Sequence, residues 1–193
     1  LHDRDADGDG VFDETAAADN TTTLISQSTG GTQGNGNSIQ ASISGGGQLV
    51  AFASDATNLV AADTNTVRDI FLRNIAGAGT TTRVSVATGG TEATGGASRA
   101  PSINQNNGSA DDGRYIAFGS QATDLVAGDT NAVSDIFVHD TNGTGTTVRV
   151  SVSSTGTEAT DPSATAAQQL GSINPSISST GRYVAFASLA SNL

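Results

Sequence analysis

Apolar and polar positions along this chain are grouped in short runs, and no run is long enough for a helix. The most regular is VAFAS at 50–54, which returns as IAFGS at 116–120 and VAFAS at 184–188. The phenylalanines of these runs, Phe52, Phe118 and Phe186, lie 66 and 68 residues apart. Alanines fall on one side and Val/Phe on the other, so both faces are apolar, as a strand lying between neighbouring sheets requires. A shorter run precedes each, centred on Ile43, Ile103 or Ile177. In the second and third copies it opens with Pro101 or Pro175, expected as strand starts, where a missing N–H does little harm. DIFLR at 69–73 and DIFVH at 135–139 supply a third strand, and TRVSV at 82–86 and VRVSV at 148–152 a fourth. The fourth alternates, which predicts Arg83 and Ser85 on a solvent face opposite Val84 and Val86. Residues 56–61 have room for one helical turn at most.

A fixed-period repeat decides architecture before any single residue does. The pattern predicts an all-β chain, a β-propeller of four-stranded antiparallel blades with about three repeats of roughly 66 residues. The alternative is a solenoid or stacked β-fold built on the same repeat. The repeats divide the chain into a single domain with a hairpin at 1–20, repeats at 21–74 and 75–140, and an incomplete repeat at 141–193. Leu1-His2-Asp3 matches Val138-His139-Asp140, and Asn192-Leu193 matches Asn58-Leu59, so the chain begins and ends inside a repeat. Three repeats do not close a ring that takes about four to eight blades. The expectation is therefore a piece of a larger propeller, or copies that assemble edge to edge.

Composition narrows the chemistry. The net charge is −11, all eight basic residues are arginine, and there is no cysteine. Such a chain repels nucleic acid, offers no thiolate ligand, and leaves carboxylates and carbonyls, which favour hard cations such as calcium. No apolar run is long enough to span a membrane as a helix.

The acidic opening, DRDADGDGVFDE at 3–14, satisfies the calcium-loop pattern D-x-D-x-D-G-x5-E with Asp3, Asp5, Asp7, Gly8 and Glu14. Alternate carboxylates converge on one ion while the glycine turns the chain. A second register uses Asp5, Asp7, Asp9, Gly10 and Asp13, with Asp19 following. It resembles the loops of thrombospondin type-3-like and dockerin-like repeats and places Phe12 where such a loop wants an apolar anchor. Five aspartates in eleven residues repel one another unless a cation neutralises them. A second acidic pattern recurs: Asp63, Asn65 and Asp69 return as Asp129, Asn131 and Asp135. Its spacing lets three side-chain oxygens converge on a cation, with Asn58 or Asp124 adding another. The same residues also cap turns by bonding their own backbone. Arg83 and Arg149 occupy equal positions, as do Arg114 and Arg182, which suits per-blade salt bridges. His2-Asp3 and His139-Asp140 hint at a base dyad, but in a repeated motif they read as scaffold. Tyr115 and Tyr183, each opening a strand, read as packed. No HExxH, GxSxG, P-loop or dinucleotide fingerprint is present.

The strings PSIS…TGRYVAFAS at 175–188, DLVAGDTNAVSDIFVHD at 124–140 and RVSVSSTGTEAT at 149–160 resemble the WD40-like, PD40-type propeller repeats related to TolB, in their long bacterial form. The resemblance covers nearly the whole chain and implies a propeller used as a binding platform, a periplasmic partner or an appendage of an enzyme. It implies no shared catalytic set. The functional expectation is a calcium-stabilised scaffold, extracellular, cell-surface or periplasmic, that binds an unknown protein or glycan or self-associates through its blade edges. The alternatives are the propeller part of an extracellular hydrolase, and a structural subunit of an extracellular fibre or surface layer.

Overall fold

The computed structural model describes residues 1–12, 20–143, 145–161 and 171–193. Two complete four-stranded antiparallel sheets lie at its centre. The first contains β3 (Ser38–Ile43), β4 (Leu49–Ser54), β5 (Asp69–Asn74) and β6 (Thr80–Arg83); the second contains β7 (Ser98–Ile103), β8 (Tyr115–Ser120), β9 (Asp135–Asp140) and β10 (Thr146–Arg149). Strands follow one another in order across each sheet. Two half-sheets flank them: β1 (His2–Asp3) with β2 (Thr21–Thr22), and β11 (Ser172–Ile177) with β12 (Val184–Ser188). The chain is thus all-β and built from repeated four-stranded sheets, with no ring closed. Among the described residues there is no helix, so residues 56–61 form turns only.

The two faces of each sheet differ in size, and this sets the stacking. Val50 and Phe52 of β4 point back along the chain, and Ala51 and Ala53 point forward. The forward face, with Ile70 and Leu72, packs against Ile103, Ile116, Phe118 and Phe137 of the second sheet in one buried cluster. Small side chains on one sheet thus receive large ones from the next, which lets the sheets approach closely at high packing density. Phe118 stacks on Phe137 with ring centroids 5.9 Å apart, as Phe52 does on Phe71. β11 packs on β7, β8 and β9 in turn, continuing the stack.

Each first strand carries the same irregularity. The register slips between Ile39 and Ser42, Arg99 and Ser102, and Ile173 and Ser176. The residue inside each bulge is left-handed: Gln40 at φ 56°, Ala100 at 52° and Asn174 at 52°. A bulge bends its strand and re-aims the side chains around it. Pro101 and Pro175 sit at these bulges rather than at the strand starts, where a missing N–H is tolerated for the same reason. Serines near the bulges link neighbouring sheets: Ile103 N donates to Ser42 Oγ at 3.2 Å, and Ile177 N to Ser102 Oγ at 3.1 Å. A carboxylate clasp adds to this, with Gly45 N and Gly46 N donating to the two oxygens of Asp112 at 2.9 and 2.8 Å. Gly36 and Gly96 lie where the connection between sheets crosses the turn after the second strand. A Cβ at either would come within 2.6 Å of that turn's backbone.

The fourth strand is shorter than its alternation predicts. It ends at Arg83 or Arg149, and the next three residues turn toward the following sheet, forming the isolated bridges Val86–Glu92 and Val152–Glu158. Ser85 and Ser151 are therefore wholly buried rather than solvent-facing. Their hydroxyls find acidic partners inside the turn, a tertiary contact that no strand periodicity encodes. Tyr183 also departs from expectation: it is 63% exposed, whereas Tyr115 is half-buried beside Gly181.

Equal sequence positions therefore differ in burial. Phe118 is fully buried and Phe186 only half-buried. Phe118→Ala is expected to cost about 3–5 kcal/mol of stability in urea unfolding, and Phe186→Ala no more than about 1–2 kcal/mol.

Candidate metal centres

Among the described residues, three groups of carboxylates are drawn together, with ligand oxygens within 4.8 Å of one another: Asp5, Asp7 and Asp9; Asp63, Asp69 and Glu92; Asp129, Asp135 and Glu158.

The two internal groups are built identically. Asp69 and Asp135 open the third strands and are buried. Asp69 Oδ1 accepts from the Ser85 hydroxyl at 2.5 Å, and Asp135 Oδ1 from that of Ser151. Asn65 Nδ2 donates to Asp69 at 3.0 Å and to the Ala93 carbonyl at 2.7 Å, while its Oδ1 accepts from Val67 N. Asn131 repeats this set with Asp135, Ala159 and Val133. Both asparagines therefore shape the loop with all of their polar atoms, and each loop turns through a left-handed residue, Thr66 at φ 57° or Ala132 at 56°. Asn58 and Asp124 face elsewhere. Asn58 bonds Asn35 N and the Gln33 carbonyl, and Asp124 accepts from Thr94, tying the preceding connection down.

The third carboxylate of each group comes from a residue that spacing did not mark. Glu92 and Glu158 lie on the connection to the next sheet, and each accepts from a Thr of the loop, Thr64 or Thr130. The recurring TGTEAT and GGTEAT strings were the available signal, visible only as repetition. A guanidinium closes each group. Arg83 Nη1 lies 2.5 Å from Glu92, 3.4 Å from Asp69 and 3.5 Å from Asp63; Arg149 Nη1 lies 2.6, 3.6 and 3.3 Å from Glu158, Asp135 and Asp129. Three carboxylates against one arginine leave an excess of negative charge inside the fold. The side chains of Asp63 and Asp129 are each 2% exposed, and one oxygen of each, Oδ1, has no hydrogen-bond donor.

Electrostatics follows that arithmetic. Burial and then the Asp135 carboxylate raise Asp129 to about 6, against the pull of Arg149. Asp63 is raised for the same reasons, by burial first and Asp69 second. Burial also raises Asp69 and Asp135, despite the serine and asparagine donors. Glu92 goes the other way: against its own desolvation, the Thr64 and Arg83 donors hold it at about 2. Glu158 is lowered likewise.

The N-terminal group is exposed except for Asp5, which is half-buried. Gly10 N donates to Asp5 Oδ2 at 3.1 Å and Gly8 N to the Asp5 carbonyl at 3.3 Å, with both glycines left-handed, Gly10 at φ 88° and Gly8 at 77°. Asp5 Oδ1 is buried without a donor. Asp3 stays on β1, its carboxylate accepting from Asp5 N. Phe12 does not anchor the loop; it is 61% exposed, with the Arg4 guanidinium 5.3 Å over its ring. Asp13, Glu14 and Asp19 lie outside the described residues.

The histidines are scaffold in geometry. His139 Nδ1 pairs with Thr147 Oγ1 at 2.8 Å and His2 Nδ1 with Thr22 Oγ1 at 2.9 Å. The adjoining Asp140 carboxylate turns to Arg114 instead.

A group whose folded pKa is raised stabilises the fold by its bound proton, which is present at low pH and lost as pH rises through the folded value. Ionised Asp129 is thus a burden at neutral pH when no cation offsets it. In EDTA at pH 7.5, Asp129→Asn is expected to gain on the order of 1–2 kcal/mol over the parent. The gain should vanish as pH falls toward the ordinary carboxylate range, read by urea melts at the two pH values. Glu92→Gln should instead lose stability at pH 7.5, with the loss closing as pH falls from the ordinary glutamate range toward about 2.

No protein-family model matches this sequence, and neither does any curated protein; the three carboxylate groups and the repeated sheets are what a functional reading has to stand on.

Proposed function

We propose that this chain is a calcium-stabilised β-propeller-type scaffold, extracellular, cell-surface or periplasmic, that serves in binding a protein or glycan or in assembly. One observation carries the reading: each of the three carboxylate groups contains one buried oxygen without a donor, on Asp5, Asp63 and Asp129. Burying such an oxygen is costly; on Asp63 and Asp129 it faces one arginine nitrogen at 3.5 and 3.3 Å, shared among three carboxylates, and a divalent cation would add the positive charge that is short. The donors are all hard oxygens, which suits calcium over softer metals. In the N-terminal loop Asp5, Asp7 and Asp9 would hold the ion, with Asp13, Glu14, Asp19 and Asp3 as further ligands. In the loops between the second and third strands, Asp63 and Asp129 would be the ligands that gain most, beside Asp69 and Asp135 and the glutamates. There Asn65 and Asn131 would keep the loop in shape. Arg83 or Arg149 already supplies one positive charge, so an ion at these sites shares the group with the guanidinium or displaces it.

The PD40-type resemblance supports the propeller part of this reading, and the stacked sheets agree with it. The acidic groups do not resemble a hydrolase pair. Their raised carboxylates lie beneath an arginine, and the apolar groove of 460 Å³ on the first sheet is lined by Leu1, Ile25, Ile39, Ile43 and Phe52 without an acidic residue.

Calorimetric titration with calcium, with melts before and after EDTA, tests the reading. Saturable heat with about three ions per chain and a large fall in melting temperature on chelation are expected. Asp5→Asn with Asp7→Asn should remove one ion, and Asp63→Asn with Asp129→Asn two. Absence of heat and of any shift would sink the calcium reading.

A further inference from the structure

One slot of the repeat changes its chemistry between the two complete sheets. It lies where the third strand runs beside the fourth: Arg73 pairs with Thr81 in the first sheet and His139 with Thr147 in the second. Each basic side chain lies against a glycine of the hairpin turn, Gly79 or Gly145. Each also bonds the threonine hydroxyl opposite, Arg73 Nη1 at 3.0 Å and His139 Nδ1 at 2.8 Å. Burial holds His139 below the ordinary histidine range, so its slot is uncharged at neutral pH. An arginine in the same slot keeps its charge. Arg73 is 5% exposed, and its remaining acceptor is again a neutral oxygen, the Ser28 carbonyl at 3.0 Å. Its Nε has no partner. Arg83 and Arg149 each face three carboxylates, whereas Arg73 faces none among the described residues. A buried charge with no counter-charge is costly, and in a chain of net charge −11 its isolation from every carboxylate calls for a reason.

We infer that the groove beside Arg73 binds a tetrahedral oxyanion, sulfate or phosphate, either free or as the ester of a small molecule. The groove, of about 560 Å³, is lined by residues 28–30, residues 57–61 and Thr81, with no carboxylate among them. Ser28 and Thr81, the two residues that hold Arg73 Nη1, belong to its wall, so the guanidinium stands behind that wall. Two hydroxyls in the groove keep a proton to give. Ser28 Oγ accepts from Thr32 N at 3.2 Å and Thr57 Oγ1 from Asn35 Nδ2 at 3.0 Å, and neither donates to an acceptor among the described residues. Hydroxyl donors in front of a cation set in a low-dielectric wall are what a small anion needs. The second repeat differs at three of these positions. Ala87 stands where Ser28 does, Asp124 where Asn58 does, and His139 where Arg73 does. A hydroxyl, a neutral amide and a fixed positive charge are thus lost, and a carboxylate is gained. The three positions lie on separate elements and change together in the direction that removes an anion. The charge of the whole chain opposes a long polyanion, which limits the ligand to a small one. This site uses none of the carboxylates proposed to hold calcium and does not rest on that reading.

Titration calorimetry with inorganic sulfate and with inorganic phosphate tests this. Work at constant ionic strength, in EDTA at pH 7.5, keeps calcium out of the readout. The parent chain is expected to take up about one ion, with a rise in melting temperature. Arg73→His places the second repeat's own residue in the slot and should weaken binding about tenfold or more. Grafting the site the other way, with Ala87→Ser, Asp124→Asn and His139→Arg together, should raise the uptake to about two ions. Circular dichroism checks that both variants are folded. A hexose sulfate and a hexose phosphate, titrated alongside, separate the two sources. Tighter binding of an ester upholds the site as one for an oxyanion carried on a small molecule; equal or tighter binding of the inorganic ion upholds it as a site for the free ion. Absence of saturable heat with all of these ligands overturns the inference. Binding that Arg73→His leaves unchanged, or a folded graft that takes up no further ion, puts the anion elsewhere and overturns the site at Arg73.

Discussion

The positive charge of a single arginine, set among three carboxylates, is what the local geometry of each repeat depends on. Arg83 reaches from the end of the fourth strand to the loop before the third, through Asp63 and Asp69, and to the connection leading onward, through Glu92. Arg149 does the same one repeat later. Its position explains why the fourth strand stops at Arg83: the guanidinium is held, and the next serine turns inward to Asp69. Buried ionic groups are expensive to desolvate, and their geometry tolerates little change. Here the ion pairs fix where three separate segments meet.

That fixed meeting point matters because the stack leaves little slack. Alanines on one sheet accept phenylalanines and isoleucines from the next, and a shift of even a fraction of a side chain would open voids or force overlap. The bulges at Gln40, Ala100 and Asn174 set the bend that brings the first strands together. The serine–isoleucine links then hold neighbouring first strands at a constant offset. Electrostatics at the outer loops and hydrogen bonds at the inner strands clamp the same apolar layer from both sides.

Much of this was legible in the chain. The threefold return of the VAFAS run marked the buried second strand and its neighbours, since apolar periodicity reports burial directly. The paired acidic loops were legible as repeated polar residues. What periodicity could not reveal was long-range. Ser85 looked like a solvent residue because its burial comes from a turn toward the next sheet. Glu92 and Glu158 joined the acidic groups from 23 positions beyond Asp69 and Asp135, a closeness set by the fold alone. Asn65 and Asn131 had the right chemistry for ligands, yet a loop N–H occupies each Oδ1, and each Nδ2 is spent on the neighbouring aspartate and a carbonyl of the onward connection. At the bulge, Gln40, Ala100 and Asn174 share a backbone shape without sharing a side chain, so no residue type announces it.

The placement of Glu92 and Glu158 has a consequence for how the molecule comes apart. A repeat protein unfolds as one unit only while the coupling between neighbours exceeds the differences in their intrinsic stability. Both glutamates belong to the connection onward but are held by the arginine of the repeat behind, so part of that coupling is carried by charge. Acid strong enough to protonate the glutamates, about pH 2 for Glu92, weakens it while leaving the apolar layer intact. The solution conditions then set the number of cooperative units as well as their stability: a single transition under one ionic regime, and a succession of smaller ones under another.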